Sequence, residues 1–199
     1  MADYNLSGLS VLVVEDHRHM RKLLCGVLNR LGVTKVHDAS SVDGALKLFK
    51  DAEPDLILTD WSPGVDGIRL LNSVRRDPES ANPYVPIIVV TAHTDIHWVY
   101  RARDAGMTEF LAKPLSAKLL YSRIRTIIER QRLFVRSAKF FGPDRRRRRL
   151  DSHGMERRRH QNVGASERRE RQVSHSGNER RHNFPGYIKT EGRQTRPSC

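Results

Sequence analysis

Over roughly the first 130 residues, apolar runs of strand length alternate five times with longer stretches whose apolar residues recur at helical spacing. The strand-like runs are Ser10–Val14, Lys35–His37, Leu56–Thr59, Ile87–Val90 and Glu109–Ala112. Between them, Met20, Leu23, Leu24, Val27, Leu28 and Leu31 mark a first helix, closed by Gly32. Val42, Ala45, Leu46 and Phe49 mark a second, ended before Pro54, and Ile68, Leu71 and Val74 a third. Ile96–Ala105 is a weakly amphipathic fourth helix stopped by Gly106, and Ser116 can cap a fifth whose face is Leu120, Ile124, Ile127 and Ile128. Parallel strands need right-handed crossovers that cover the sheet, so this alternation predicts an α/β domain with helices on both faces.

The expected architecture is a doubly wound, five-stranded parallel sheet of flavodoxin-like order 2-1-3-4-5, in which the first and third strands are neighbours. Polar residues stand just past four of the apolar runs: the acidic pair Glu15-Asp16, then Asp60, Thr91 and Lys113. In a parallel sheet all of them fall on the carboxyl-end rim, where open α/β sheets bind ligands. Two carboxylates meeting there repel each other unless a cation lies between them. The donors on offer are hard oxygens, which favour Mg2+ over zinc.

The net charge of +13 is unevenly placed. Residues 1–135 hold 18 Lys and Arg against 16 Asp and Glu, whereas residues 136–199 hold 18 against 7. The division predicts a folded domain over 1–132 and a basic low-complexity tail over 133–199, mostly disordered for want of aliphatic residues. A short unit recurs in the tail: Gly-Pro-Asp-Arg-Arg at 142–146, Gly-Met-Glu-Arg-Arg at 154–158, Ser-Glu-Arg-Arg at 166–169 and Gly-Asn-Glu-Arg-Arg at 177–181. Its acids, Asp144, Glu156, Glu167 and Glu179, are spaced 12, 11 and 12 apart, too short and too polar for a stacked solenoid. The unit reads as a repeated binding element. The two cysteines, Cys25 and Cys199, argue against a disulfide framework and suit a reducing cytoplasm. No signal peptide is visible, and no run reaches the roughly 18 apolar residues of a membrane span.

Four motifs in order, each after its own strand, carry a resemblance: Val-Val-Glu-Asp (13–16), Leu-Thr-Asp-Trp (58–61), Val-Thr-Ala (90–92) and Leu-Ala-Lys-Pro (111–114). Through them residues 9–132 resemble the receiver domain of two-component response regulators. The tail is similar to Arg-rich extensions bearing Gly-Pro-Asp-Arg-Arg that follow some bacterial receivers. The resemblance implies a phosphorylation-dependent switch, not a conventional enzyme. Asp60 would be the phosphoacceptor, fed by a sensor histidine kinase or a histidine phosphotransfer protein. Asp16, Asp60, Glu15 (partly through water) and the Ser62 main-chain carbonyl would hold Mg2+. Thr91 and Lys113 would contact the phosphoryl group, Phe110 would occupy the aromatic switch position, and Pro114 would follow a cis peptide. One departure is the tight segment Asp60–Gly67, where Pro63 stands one place early.

Taken singly, the same residues have plainer readings: Glu15-Asp16 as acids at a helix N-terminus, Asp60 as a turn cap, Lys113 as a solvated charge. Their joint placement favours the site. Trp61 reads as a rim residue, and His17 and His19 as surface residues of the first helix. His153, His160, His175 and His182 read as solvated side chains rather than metal ligands. The arginine runs suit an anionic polymer or surface. With no recognition helix, sequence-specific DNA binding is not expected. The alternative function is a receiver-like scaffold that is not phosphorylated and whose basic tail binds nucleic acid or another anionic surface.

Overall fold

The computed structural model describes residues 3–62, 65–92, 95–137, 140–145 and 189–190. Five parallel strands, β2 (Ser10–Val14), β3 (Lys35–Ala39), β4 (Leu56–Asp60), β5 (Ile87–Thr91) and β6 (Glu109–Ala112), form one sheet in the order β3-β2-β4-β5-β6. This is the expected 2-1-3-4-5 arrangement. Strands β2, β4 and β5 are buried from end to end, as their unbroken Val, Ile and Leu runs require in a sheet covered on both faces.

Alternation along each strand sorts the core into two layers. Leu12, Val14, Ile57, Ile87 and Val89 pack with Phe49, Leu70, Leu71, Val74 and Ala102, from α2 (Val42–Ala52), α3 (Gly67–Arg76) and α4 (Ile96–Asp104). Val11, Val13, Leu56, Leu58, Ile88 and Val90 pack with Leu24, Leu28, Leu120, Ile124 and Ile127, from α1 (Arg18–Arg30) and α5 (Ala117–Glu129). Ser41, Asp66, Asp95 and Ser116 cap their helices, each accepting a backbone N–H of the first turn. Leu23, placed on the apolar stripe of α1 by its spacing, is instead half exposed. The buried stripe of that helix narrows to Leu24 and Leu28.

The folded part runs beyond the expected boundary at residue 132. Strands β7 (Phe134–Ser137) and β8 (Phe140–Pro143) pair antiparallel as a hairpin. Phe140 and Phe141 are buried, and Tyr84, Phe134 and Phe141 stack edge to face or tilted, with centroids 5.1–5.7 Å apart. The physical reason is aromatic area: these rings stand ahead of the arginine runs and bury enough surface to order a short hairpin that composition assigned to the tail. Gly142 permits the contact, because a Cβ there would lie 2.8 Å from Gly106 Cα. A two-residue pairing also joins β1 (Asp3–Tyr4) to β9 (Lys189–Thr190). Apart from β9 and the residues up to 145, the basic tail with its repeats and histidines lies outside the described residues, as does Pro63. No described helix is long and apolar enough to cross a membrane.

Candidate functional site

Because β2 and β4 are adjacent, with Val14 opposite Thr59, the residues that follow them meet at one rim. Glu15 is fully buried and Asp60 nearly so. Between them stands Lys113, reaching in from the end of β6. Its Nζ donates to Glu15 Oε2 at 2.9 Å and lies 3.0 Å from Asp60 Oδ1. The Lys113 amide donates to the Thr91 carbonyl at 2.8 Å, tying β6 to β5 at the rim, and the Lys113–Pro114 peptide is cis.

Asp16 lies at the more open side. Its Oδ1 accepts from the Ser62 hydroxyl at 3.3 Å and from the His17 amide at 2.9 Å, with the His17 ring Nδ1 at 3.2 Å. The Ser62 carbonyl accepts the Val65 amide at 3.0 Å, which leaves its second lone pair. The Thr91 hydroxyl donates to the Trp61 carbonyl at 3.1 Å. Trp61 is buried and meets Trp98 of α4 edge to face at 5.6 Å, and the Arg101 guanidinium lies over the Trp98 ring. Phe110 pairs with Val89 across the β5–β6 ladder and packs, half-buried, against the same core layer as Trp98 and Val99.

The electrostatics are unbalanced: the Glu15 and Asp60 carboxylates share one ammonium, and the Asp16 carboxylate stands beside them without it. Burial pushes Glu15 above the ordinary carboxylate range, and the charge of Asp60 adds to it, against the hydrogen bond from Lys113. For Asp16 burial is outweighed by the hydrogen bonds around it, the contacts from His17 foremost, and its pKa is lowered. Burial would depress Lys113, yet its hydrogen bonds to Glu15 and Asp60 hold it above the usual lysine value. A pocket of clustered oxygen donors with surplus negative charge fits a hard divalent cation such as Mg2+. Glu15, Asp16 and His17 place ligand atoms within 4.8 Å of one another.

The structure thus gathers Glu15, Asp16, Asp60, Ser62, Thr91 and Lys113 at one rim. Three features escaped the sequence. His17 sits beside the acidic pair as the N-cap residue of α1, although its side chain is 80% exposed. The Ser62 hydroxyl donates to Asp16, where the sequence reading named only the Ser62 carbonyl. Arg21 turns back onto the Glu15 and Asp16 carbonyls. For Arg21 a faint signal existed: an arginine one turn into the helix that follows the acidic pair.

The family described as "Response regulator receiver domain" matches residues 11–125. The chain is 32% identical over 123 residues to the chemotaxis protein CheY of Pseudomonas aeruginosa, covering 61% of this chain and 98% of that one. It is 34% identical over 121 residues to the phosphate regulon transcriptional regulatory protein PhoB of Escherichia coli, covering 60% of this chain and 52% of PhoB. Among solved structures, a protein of Chloroflexus aurantiacus described as a response regulator superimposes with a TM-score of 0.56 at 32% identity, covering 61% of this chain and 98% of that one.

Proposed function

This chain belongs to the response regulator receiver family and is a phosphorylation-dependent response regulator; we propose that Asp60 is its phosphoacceptor and that Glu15, Asp16 and Lys113 make the reaction possible. The observation that carries the assignment is Lys113 held between two buried carboxylates at the carboxyl ends of β2 and β4.

In the proposed reaction a carboxylate oxygen of Asp60 attacks the phosphorus of a donor phosphohistidine. A P–O bond forms, the P–N bond breaks, and the imidazole leaves with the bonding pair. A bound Mg2+ supplies charge neutralisation between the incoming phosphoryl group and the carboxylates. Asp16, Asp60, Glu15 and the Ser62 carbonyl are the groups that would hold it. The chain's own residues do the rest. Lys113 fixes the Asp60 carboxylate and presents a positive charge to a phosphoryl oxygen. Burial excludes competing water from Glu15 and Asp60 and strengthens each of these interactions. Little covalent work remains, so positioning and charge account for most of the rate.

The product adds about −1.5 to −2 charge beside Asp60. The Thr91 hydroxyl, held by the Trp61 carbonyl at 3.1 Å, turns to the phosphoryl oxygen and gives up that bond. Phe110 then repacks toward the space released. Having no hydroxyl, it acts through packing, and the change is felt along α4. A histidine kinase or a histidine phosphotransfer protein is the donor, and the output is a changed protein contact. The basic tail adds electrostatic affinity for an anionic polymer or surface, with the steep salt dependence that counterion release requires. The cytoplasm is the compartment that suits these roles.

Incubation with phosphoramidate, a small P–N donor, tests the assignment. Uptake of one phosphoryl group in the presence of Mg2+, abolished in Asp60→Ala, is expected. Uptake that survives Asp60→Ala overturns it.

A further inference from the structure

The Glu15 backbone is tied to the end of β3 at both its amide and its carbonyl, the second through Arg21. Its amide donates directly to the Ala39 carbonyl at 3.1 Å. Its carbonyl is reached indirectly. Arg21, in the first turns of α1, donates from Nη1 to the Glu15 carbonyl at 2.7 Å and to the Asp16 carbonyl at 3.3 Å. The same guanidinium donates from Nε to Asp38 Oδ2 at 2.8 Å. Asp38 and Ala39 are the last two residues of β3, registered against Val13 and Val14. The Arg21 side chain is 17% exposed, that of Asp38 52%.

We propose that Arg21, oriented by Asp38, is a positioning residue that clamps the Glu15-Asp16 backbone and so sets the affinity of the site for its divalent cation. The inference rests on the reading of the acidic pair as the metal-binding element. Past the end of β2 the Glu15 and Asp16 carbonyls have left the strand ladder, and two bonds from one guanidinium nitrogen, Nη1, whose planar group Asp38 aims through Nε, fix the peptide planes between them. Fixing those planes fixes where both carboxylates leave the chain. The placement also explains an otherwise odd arrangement, a permanent cation next to a cation site. If the guanidinium acted only as a charge, it would repel a divalent ion and its removal would tighten binding. If it acts as a clamp, its removal loosens the ligands and weakens binding. Asp38 both aims the fork and offsets its charge. The two roles therefore predict opposite signs for the change in affinity.

The test is calorimetric titration of the full chain with Mg2+, alongside thermal unfolding and phosphorylation by phosphoramidate. Removing a partner that orients metal ligands costs about 10- to 100-fold in affinity. Arg21→Met is expected to lose affinity in that range, to stay weak in Arg21→Lys, which keeps the charge without the fork, and to recover its phosphorylation rate at saturating Mg2+. Asp38→Ala, at a half-exposed side chain that leaves the core intact, is expected to lose less in the same direction. Arg21→Met with unchanged or tighter Mg2+ binding overturns the clamp. Should Arg21→Met fail to fold, Asp38→Ala decides, and wild-type affinity there overturns it. Absence of Mg2+ binding by the wild-type chain would instead refute the underlying reading of the acidic pair.

Discussion

At the carboxyl ends of the strands an ammonium stands between two buried carboxylates, with a third close by. At the amino ends, where α3 and α4 finish, the molecule buries a charge in another way. Arg75 is 1% exposed, and no ion pair joins it to a carboxylate among the described residues. It donates from Nε to the Gly106 carbonyl at 3.0 Å and from Nη1 to the Pro83 carbonyl at 2.8 Å, and the Phe134 ring lies 5.2 Å away. Burial pulls its pKa down to about 9, which still leaves it charged at neutral pH. The comparison separates two uses of buried charge. Arg75 is held at Nε and Nη1 by fixed carbonyl dipoles and faces an aromatic ring, none of which titrates, while its buried Nη2 has no hydrogen-bond partner among the described residues; it serves as a rivet joining α3, the loop after α4 and the β7–β8 hairpin. The rim has more negative charge than its own residues neutralise, a balance that suits the divalent cation of the proposed reaction.

The largest expected effect that would break this contrast is at Lys113. Lys113→Met leaves Glu15 and Asp60 buried without their shared partner and is expected to cost about 3 kcal/mol in metal-free buffer, read by urea unfolding. Added Mg2+ should return part of that loss. No loss would mean that the two carboxylates are not held by the ammonium.

Next comes the rivet. Arg75→Met strips the donors from two carbonyls and is expected to cost about 2 kcal/mol in the same assay, with an unchanged phosphorylation rate. A changed rate with intact folding would join the two ends that the comparison separates.

A third effect is pH-dependent. Glu15 lies above its ordinary value of 4.5 in the fold, so its protonation favours folding. The metal-free protein should therefore gain stability as pH falls from neutrality through that raised pKa toward 4.5. Asp16, held below its ordinary 3.8, works the other way, and its contribution is lost only as pH falls below that value. Lys113, raised from 10.5, keeps its full contribution until pH climbs past that value. Melting curves across this range should show the Glu15 gain in the wild type and not in Glu15→Gln. A wild type that loses stability over the same interval contradicts the assignment.

The smallest effect is at His17. Its exposed ring touches Asp16, and His17→Ala should change stability by no more than about 0.5 kcal/mol in a urea titration. A larger loss would make the imidazole part of the site's framework.

The sheet order and the residues of the rim were legible because both follow from short-range pattern. Unbroken runs such as Ile87–Val90 declare buried parallel strands, and whatever follows each run must stand at the carboxyl rim. Ser116 was legible for the same reason, as a capping residue ahead of an apolar face. What escaped depends on distant partners. Arg21 looks like any charged residue on an exposed helix face until Asp38, 17 positions later, takes its Nε. Arg75 looks solvated until Gly106 and Pro83 supply carbonyls and the hairpin covers it. The hairpin was hidden by its neighbours: Phe134, Phe140 and Phe141 adjoin a run of arginines, and averaged composition drowned the aromatic signal. The exposure of Leu23 shows the converse error, where helical spacing alone counted an outward residue as core.

In the proposed reaction the rim carboxylates act together on one phosphoryl transfer. Site-resolved mass spectrometry after exposure to acetyl phosphate tests it most directly, with Mg2+ in one sample and a chelator in the other. The added phosphoryl group is expected on the peptide containing Asp60, and only where Mg2+ is present. Modification at another residue, or equal modification of Asp60 with the metal removed, would contradict it.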